Sequence, residues 1–226
     1  LSFAKSTNSN HFFFKNFNLN IHFTMSVSII IAQEEHYKFA QEICDTMEAS
    51  ALLRGTGIAK RSPEYIQKKM QNHDAIIALE NGKFAGFCYI ESWQHGKFVA
   101  NSGLIVHPDY RHLGLAKQIK KKVFEYSQEK YPGAKIFGIT TGLAVMKINS
   151  DLGYKPVPFS ELTADTTFWA GCKGCTNYDI LEKKEFKMCL CTGMLYDPNN
   201  KKPEEIKFNK KVLTRLKEIK QTFLKK

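Results

Sequence analysis

Asn101-Ser102-Gly103-Leu104-Ile105-Val106-His107-Pro108-Asp109-Tyr110-Arg111-His112-Leu113-Gly114-Leu115-Ala116 is the stretch on which the fold turns. An apolar strand ends at Val106, and His107-Pro108-Asp109-Tyr110 reverses the chain. A helix then opens behind Arg111-x-x-Gly114-x-Ala116 and continues through Lys117, Ile119, Lys120 and Phe124. A helix start carries free N–H groups and the positive end of the helix dipole, which makes it an anion site. Gly114 has no side chain to obstruct a phosphate approaching those amides, and Arg111 and Lys117 add positive charge around them. The residues alone predict a strand-to-helix cradle for a pyrophosphate. The plainer alternative is a glycine that only lets the helix pack tightly on a sheet.

Working outward, Val27-Ser28-Ile29-Ile30-Ile31-Ala32 reads as a first strand. Glu34 to Leu53 reads as an amphipathic helix with Tyr37, Ala40, Ile43, Met47 and Ala51 on one stripe. Ser62-Pro63-Glu64 has the form of an N-cap followed by proline at the first helical position. Asp74 to Glu80 and Phe84 to Trp93 form a hairpin through Asn81-Gly82-Lys83, and Gln94-His95-Gly96 leads into the strand ending at Val106. The cradle helix ends near Tyr131-Pro132-Gly133. A strand over residues 135–141, a helix from Leu143 to Leu152 and a strand restarting at Tyr154 complete the body.

The chain has 226 residues, 43% of them hydrophobic, enough for one good core. No apolar run approaches the ~20 residues needed to cross a bilayer, and Phe12-Phe13-Phe14 is too short for a secretory signal core. These features predict a cytoplasmic protein. Residues 1–24 hold six Phe, five Asn and no Asp or Glu, and the first residue is Leu, so Met25 is the expected natural start. The net charge of +11 sits mostly in the tails: +7 falls in residues 199–226 and +2 in residues 1–24. A nucleic-acid partner is therefore not expected, because such a binder carries its basic footprint on the folded surface.

The pattern [Gln/Arg]-x-x-Gly-x-[Gly/Ala] directly after Ile105-Val106-x-Pro108-x-Tyr110 resembles the acyl-CoA motif of the GNAT superfamily of N-acetyltransferases. The element order from about residue 27 to 157 is similar to that family throughout, and Leu152-Gly153-Tyr154 resembles the close of its second motif. The resemblance implies an α/β fold with a mixed, mostly antiparallel central sheet opened by a V-shaped splay and flanked by helices. It implies that pantetheine pairs with backbone amides of Leu104, Ile105 and Val106. The pyrophosphate would sit on the amides of Arg111, His112, Leu113, Gly114, Leu115 and Ala116, with Lys117 beside them. His107 and His112 flank this cradle.

Attack by an amine on a thioester needs a base, amide donors for the oxyanion and often an acid for the leaving thiolate. The family's usual acid, a Tyr four residues before the second-motif Gly, is Asn149 here. Asn149 can orient the thiolate by hydrogen bonding, Tyr154 can substitute as acid, or no acid is used; Asn149 as a plain helix-surface residue is the alternative. For the base, the fourth-strand position holds Asn101. Glu91 shares a strand face with Tyr89 and Trp93, and an aromatic surround suits a carboxylate to accept a proton near neutral pH. A solvated strand-end Glu is the plainer reading of Glu91, and His95 is a second candidate.

Arg54-Gly55-Thr56-Gly57-Ile58-Ala59-Lys60-Arg61 links the first two helices, where this superfamily selects its acceptor. Two glycines with Arg54, Lys60 and Arg61 predict a flexible anion clamp, against the alternative of a solvated basic turn. The segments RGTGIAKRSPEYI and TTGLAVMKINSDLGYKPV resemble bacterial GNAT proteins associated with arginine biosynthesis. That resemblance implies N-acylation of glutamate with acetyl-CoA or succinyl-CoA as donor. A protein-modifying acetyltransferase, or a CoA- and zinc-binding module without catalysis, are the competing expectations, and homodimer formation is left open.

Cys172-x-x-Cys175 and Cys189-x-Cys191 have paired spacing that can close a structural, tetrahedral Zn²⁺ site. Cys189 and Cys191 would share one face if residues 187–195 form a strand. Reduced buried thiols or redox chemistry are the alternatives. The sequence predicts a GNAT core over residues 25–158, a cysteine-rich appendage over 159–198 that completes the sheet, and a tail over 199–226. In that tail Val212, Leu216, Ile219 and Phe223 fall at helical spacing, as for a basic amphipathic helix docked on the body or a partner, or touching RNA or a membrane surface.

Overall fold

The computed structural model describes residues 26–55 and 60–200, together with Thr214. The expected start at Met25, the residues before it, the middle of the 54–61 loop and the tail helix lie outside the described residues. Seven strands form one sheet: β1 (Val27–Ile31), β2 (Ala75–Glu80), β3 (Lys83–Trp93), β4 (Phe98–Val106), β5 (Lys135–Thr140), β6 (Lys155–Val157) and β7 (Thr192–Tyr196). Their order is β1-β2-β3-β4-β5-β7-β6, and every pairing is antiparallel except β4 with β5. The β2–β3 turn uses Asn81 and Gly82, both at positive φ, as a tight hairpin requires.

Two helix layers cover the sheet. On one face lies α3 (Leu115–Lys130), whose Ile119, Val123 and Phe124 pack on Ile76, Cys88, Ile90 and Val99. On the other lie α1 (Ala40–Arg54) and α2 (Pro63–Gln71), whose Ile43, Met47, Ile66 and Met70 pack on Ile77, Phe87, Tyr89 and Ile105. The period-2 alternation of β3 and β4 sorts their side chains between these two cores. Ser62 caps α2 by accepting from the Tyr65 amide at 3.2 Å, with Pro63 at the first helical position. α4 (Leu143–Asp151) follows β5.

Two elements differ from expectation. The helix expected from Glu34 begins as a 3-10 turn over Glu34–Phe39, because the buried His36 folds back to accept from the Gln33 amide at 3.0 Å; α1 starts only at Ala40. The strand considered over residues 187–195 is instead β7, starting at Thr192. Glu185 and Phe186 take positive φ and reverse the chain, so Met188 and Leu190 are exposed and their apolar alternation marks no buried face. Before that reversal come the short helices α5 (Thr166–Ala170) and α6 (Tyr178–Lys183), whose Trp169 and Leu181 join a third core with Phe137, Phe159 and Leu195.

Candidate active site

The site grows from the junction of β4 and α3. Gly114 is the N-cap of α3 at φ +74°, and a Cβ placed there would meet no atom within 4 Å. The space over the helix start is therefore open. Among the described residues, no carbonyl or side chain accepts from the amides of residues 112–116, as the first turn of a helix leaves them. Arg111 is turned away from this cradle. Its Nε donates to the Val106 carbonyl at 3.2 Å and its Nη2 to Ser50 Oγ on α1 at 2.8 Å, so it fixes the turn instead of adding a free charge to it. Lys117 is likewise engaged: its ammonium bridges to Asp151 at the end of α4 at 2.8 Å, joining the two helices. His107 accepts from the Asp109 amide at 3.4 Å within the same turn, and His112 stands at positive φ.

A cleft opens beside the cradle because β4 and β5 pair only over Phe98–Ala100 and Lys135–Phe137. Beyond Ala100 the strands separate, β5 continuing only with β7 and β4 only with β3. The His107 amide donates to the Ala85 carbonyl at 3.0 Å. An antiparallel ladder alternates, so Ile105 also turns its amide to β3, while Leu104 and Val106 turn theirs to the cleft. Ile105 is therefore removed from the expected set of cofactor-facing amides. A bulge sets this phase: Phe87 pairs with Ile105 but Tyr89 with Ser102. Gly103 occupies the bulge at φ +65°, where a Cβ would lie 2.4 Å from Tyr89 Cε1 and 2.9 Å from Met47 Cε. Sequence reasoning assigned Gly103 no role, although a glycine inside an apolar strand is itself a bulge signal.

The cleft continues into a cavity of about 640 Å³ lined by residues of β3, β4, β5, α2, α5 and α6. Of the three expected clamp cations, the fold brings Arg61 to it as a fixed group. Its Nε donates to the Tyr89 hydroxyl at 2.9 Å and its guanidinium lies 5.2 Å from the Tyr65 ring centre, while Nη2 donates to no group among the described residues. Lys60 touches the rim but its ammonium is exposed and paired with Glu48 at 2.7 Å; of Arg54 the structure describes only the backbone. Glu91 lines the same cavity. It accepts a short hydrogen bond from the Tyr65 hydroxyl and has the Lys69 ammonium 3.8 Å away, so its surround is charged and hydrogen-bonding as well as aromatic. Burial drives the Tyr65 phenol well above its usual range and lowers Lys69, while Tyr89 is pushed up to about 12, chiefly by burial. Both phenols therefore stay protonated as donors at neutral pH. His95 sits in the β3–β4 turn at positive φ and does not line the cavity.

Asn149 and Tyr154 are both buried. Neither lines the cavity. Asn149 is buried with its Oδ1 accepting from no group among the described residues, so it is not a helix-surface residue. The Tyr154 hydroxyl donates to Asn101 Oδ1 at 2.9 Å on the α3 side, and burial raises its pKa far above the ordinary phenol value. Its proton is committed inward.

The four clustered cysteines form one wall of the cavity as free thiols. Among the described residues no group of three or more His, Cys, Asp or Glu side chains is placed to hold a metal ion, so the expected zinc site has no support in this structure. The reason is local: Cys189 and Cys191 precede β7 instead of sharing a strand face. Cys175 accepts from the Asn177 amide at 3.4 Å while Cys189 donates to the Asn177 carbonyl. Burial, with the neighbouring thiols, pushes Cys172 up to about 11 and Cys191 up to about 12, so both stay protonated at neutral pH.

This geometry places the protein in the class of folds with a splayed sheet and a strand-to-helix anion cradle. Residues 43–145 match the model of the acetyltransferase (GNAT) family. Among solved structures, N-acetylglutamate synthase from Neisseria gonorrhoeae, complexed with coenzyme A and N-acetyl-glutamate, is similar over 76% of this chain at 13% identity and a TM-score of 0.56. The chain spans only 35% of that enzyme's length. Rv2747 from Mycobacterium tuberculosis, solved with CoA, is similar over 75% of this chain and 98% of its own, at 14% identity and a TM-score of 0.55. YncA from Salmonella typhimurium, a putative acetyltransferase solved with acetyl-CoA, covers 80% and 99% at 13% identity and 0.53. At these identities the likeness is one of fold. No curated protein matches the chain in sequence. No helix among the described residues is long and apolar enough to cross a membrane.

Proposed function

We propose that the protein is a cytoplasmic acyl-CoA-dependent N-acyltransferase that transfers an acetyl or succinyl group to the amino group of a small acidic amino acid, glutamate in arginine biosynthesis. One observation carries this reading: the Arg61 guanidinium, the Glu91 carboxylate and the β4–β5 opening share a single cavity. The donor side fits CoA. The open space at Gly114, the free amides of residues 112–116 and the cleft-facing amides of Leu104 and Val106 offer donors in the places a diphosphate and an extended amide chain require. When bound, acyl-CoA supplies an activated acyl carbon.

The chain's own groups then divide the work. Arg61, held by Tyr89 and stacked on Tyr65, keeps Nη2 free for an acceptor carboxylate. Glu91, positioned by Tyr65 and Lys69, takes the proton that the ammonium must lose before it attacks. A backbone amide of β4 at the bulge is available for the developing oxyanion. The helices α5 and α6 contribute part of the cavity wall, an enclosure that favours a small acceptor over a protein lysine. The N. gonorrhoeae enzyme of similar fold binds N-acetyl-glutamate, which supports the same choice.

The test is release of free CoA thiol with acetyl-CoA and succinyl-CoA against the twenty amino acids, for wild type and Arg61→Gln. Turnover with glutamate or aspartate, and a KM for that acceptor raised at least about tenfold in the variant with the acyl-CoA KM unchanged, is the expected result. Turnover confined to lysine-bearing peptides would replace the proposal, as would an acceptor KM indifferent to Arg61.

A further inference from the structure

Behind the branch point of β4 and β5, on the α3 side, the protein buries a charge for which its neighbours among the described residues supply no counter-charge. Lys120 of α3 is 2% exposed. Its Nζ donates to Asn101 Oδ1 at 3.2 Å and lies 4.9 Å from the centre of the Tyr154 ring. The Tyr154 hydroxyl shares the same Asn101 oxygen, and Asn101 Nδ2 donates to Ser127 Oγ at 2.8 Å. The other titratable groups facing this cluster are the Cys88 thiol on β3, which donates to the Ser102 carbonyl at 3.3 Å, and Tyr196 on β7, packed on Tyr154. None of them is a carboxylate. Burial draws Lys120 down to about 8, with Cys88 the only opposing influence.

A buried cation without an anion is costly, and a methionine or leucine would fill the same space more cheaply. Asn101 places the charge. It is the first β4 residue past the last pair with β5, and it lines the cavity. In the proposed transfer the ammonium first gives one proton to Glu91; the amine nitrogen then bonds to the acyl carbon, the C–S bond breaks with its electron pair staying on sulfur, and the second proton that the nitrogen sheds in becoming an amide passes to solvent or, afterwards, to the thiolate. A negative charge thus develops on sulfur as the C–S bond breaks, beside the strand whose α3 side carries the unmatched positive charge. We infer that Lys120 is a positioning residue for this reaction, its ammonium acting across β4 through Asn101 to stabilise the thiolate of departing CoA. This inference rests on the acyl-CoA reading above. It also accounts for a site in which neither Asn149 nor Tyr154 offers an acid to the cavity.

The test reads the thiol itself. CoA bound to wild type and to Lys120→Met is titrated by the ultraviolet absorbance of its thiolate, with desulfo-CoA as a binding control that lacks the sulfur. The bound thiol is expected to titrate at least about one pH unit lower in wild type than in the variant, while desulfo-CoA binds both within about threefold. Identical thiol titrations would overturn the inference. Should Lys120→Met not fold, wild type alone decides. The ratio of CoA to desulfo-CoA affinity should rise with pH and then fall above about 8, as Lys120 loses its proton. A ratio that only rises overturns the proposal. Desulfo-CoA that fails to bind wild type removes the acyl-CoA reading itself, and this inference with it.

Discussion

Arg111 Nη2 donates to Ser50 Oγ at 2.8 Å, which makes the motif arginine a tie between α1 and the turn before α3. Its Nε completes the tie by holding the Val106 carbonyl. The guanidinium therefore shapes the turn from behind, and in the proposed binding of CoA the anion contacts fall to backbone amides. Ser50 is buried and lies on α1, away from the cradle amides. Ser50→Ala should nevertheless lower stability by about 1 kcal/mol and weaken CoA binding severalfold, because the turn loses one anchor. Thermal denaturation and CoA calorimetry on the same variant check this. Unchanged CoA affinity would show that the turn holds its shape without α1.

Gly114 gives a second expectation. Its positive φ costs any other residue about 1–2 kcal/mol, but open space surrounds the position. Gly114→Ala should fold and bind CoA with a modest loss. Gly114→Glu should also fold, yet its carboxylate would stand at the site proposed for the diphosphate, and CoA affinity should fall by at least about a hundredfold. Calorimetry of the two variants separates charge from backbone strain. Equal losses would mean that backbone strain and not anion exclusion limits binding.

The bulge at Gly103 is less forgiving. Positive φ combines there with a Cβ position 2.4 Å from the ring of Tyr89, which Arg61 holds in place. Gly103→Ala should cost more than about 2 kcal/mol of stability and lower kcat in whatever protein still folds, since the phase of the Leu104 amide depends on the bulge. A stable, fully active variant would argue that the bulge is incidental to the cleft.

Local signals carried most of the fold. The order of elements follows hydrophobic period and the punctuation at Ser62-Pro63, Asn81-Gly82 and Pro132-Gly133, each of which acts over a few residues. The cradle was legible for the same reason, because strand end, turn and Gly114 are contiguous. Contacts set by tertiary placement were not legible. That Tyr65 would reach Glu91, or that Arg61 would turn into the cavity while Lys60 turned out to Glu48, depends on how α2 sits against β3. Tyr154 is one of the alternatives for the acid, and that the chain enters β6 with its ring on the α3 side is set by tertiary placement as well. Lys120 was hidden in the run Lys120-Lys121-Lys122, which reads as a solvated face. Yet it stands three and four residues before Val123 and Phe124, both on the buried stripe, and that spacing was the available clue.

Lys120 also yields a prediction about stability, with its sign fixed by linkage. Burial lowers its pKa from 10.5 to about 8, so between those values the unfolded chain binds more protons than the folded one. Stability from this group therefore rises with pH across that window. Below about pH 8 the folded protein carries the full cost of a buried ammonium, on the order of 3 kcal/mol. Above 10.5 the cost is gone. Lys120→Met removes the ionisable group while keeping an unbranched apolar side chain, so it should be more stable than wild type at pH 7. The advantage should shrink as pH rises toward 10. Urea denaturation of both proteins at pH 7 and pH 10 measures the two gaps. A gap of the same size at both values would mean that packing, and not charge, separates the proteins. A variant that gains stability at pH 7 while losing turnover would show that the buried charge is kept for the reaction and against the interest of the fold.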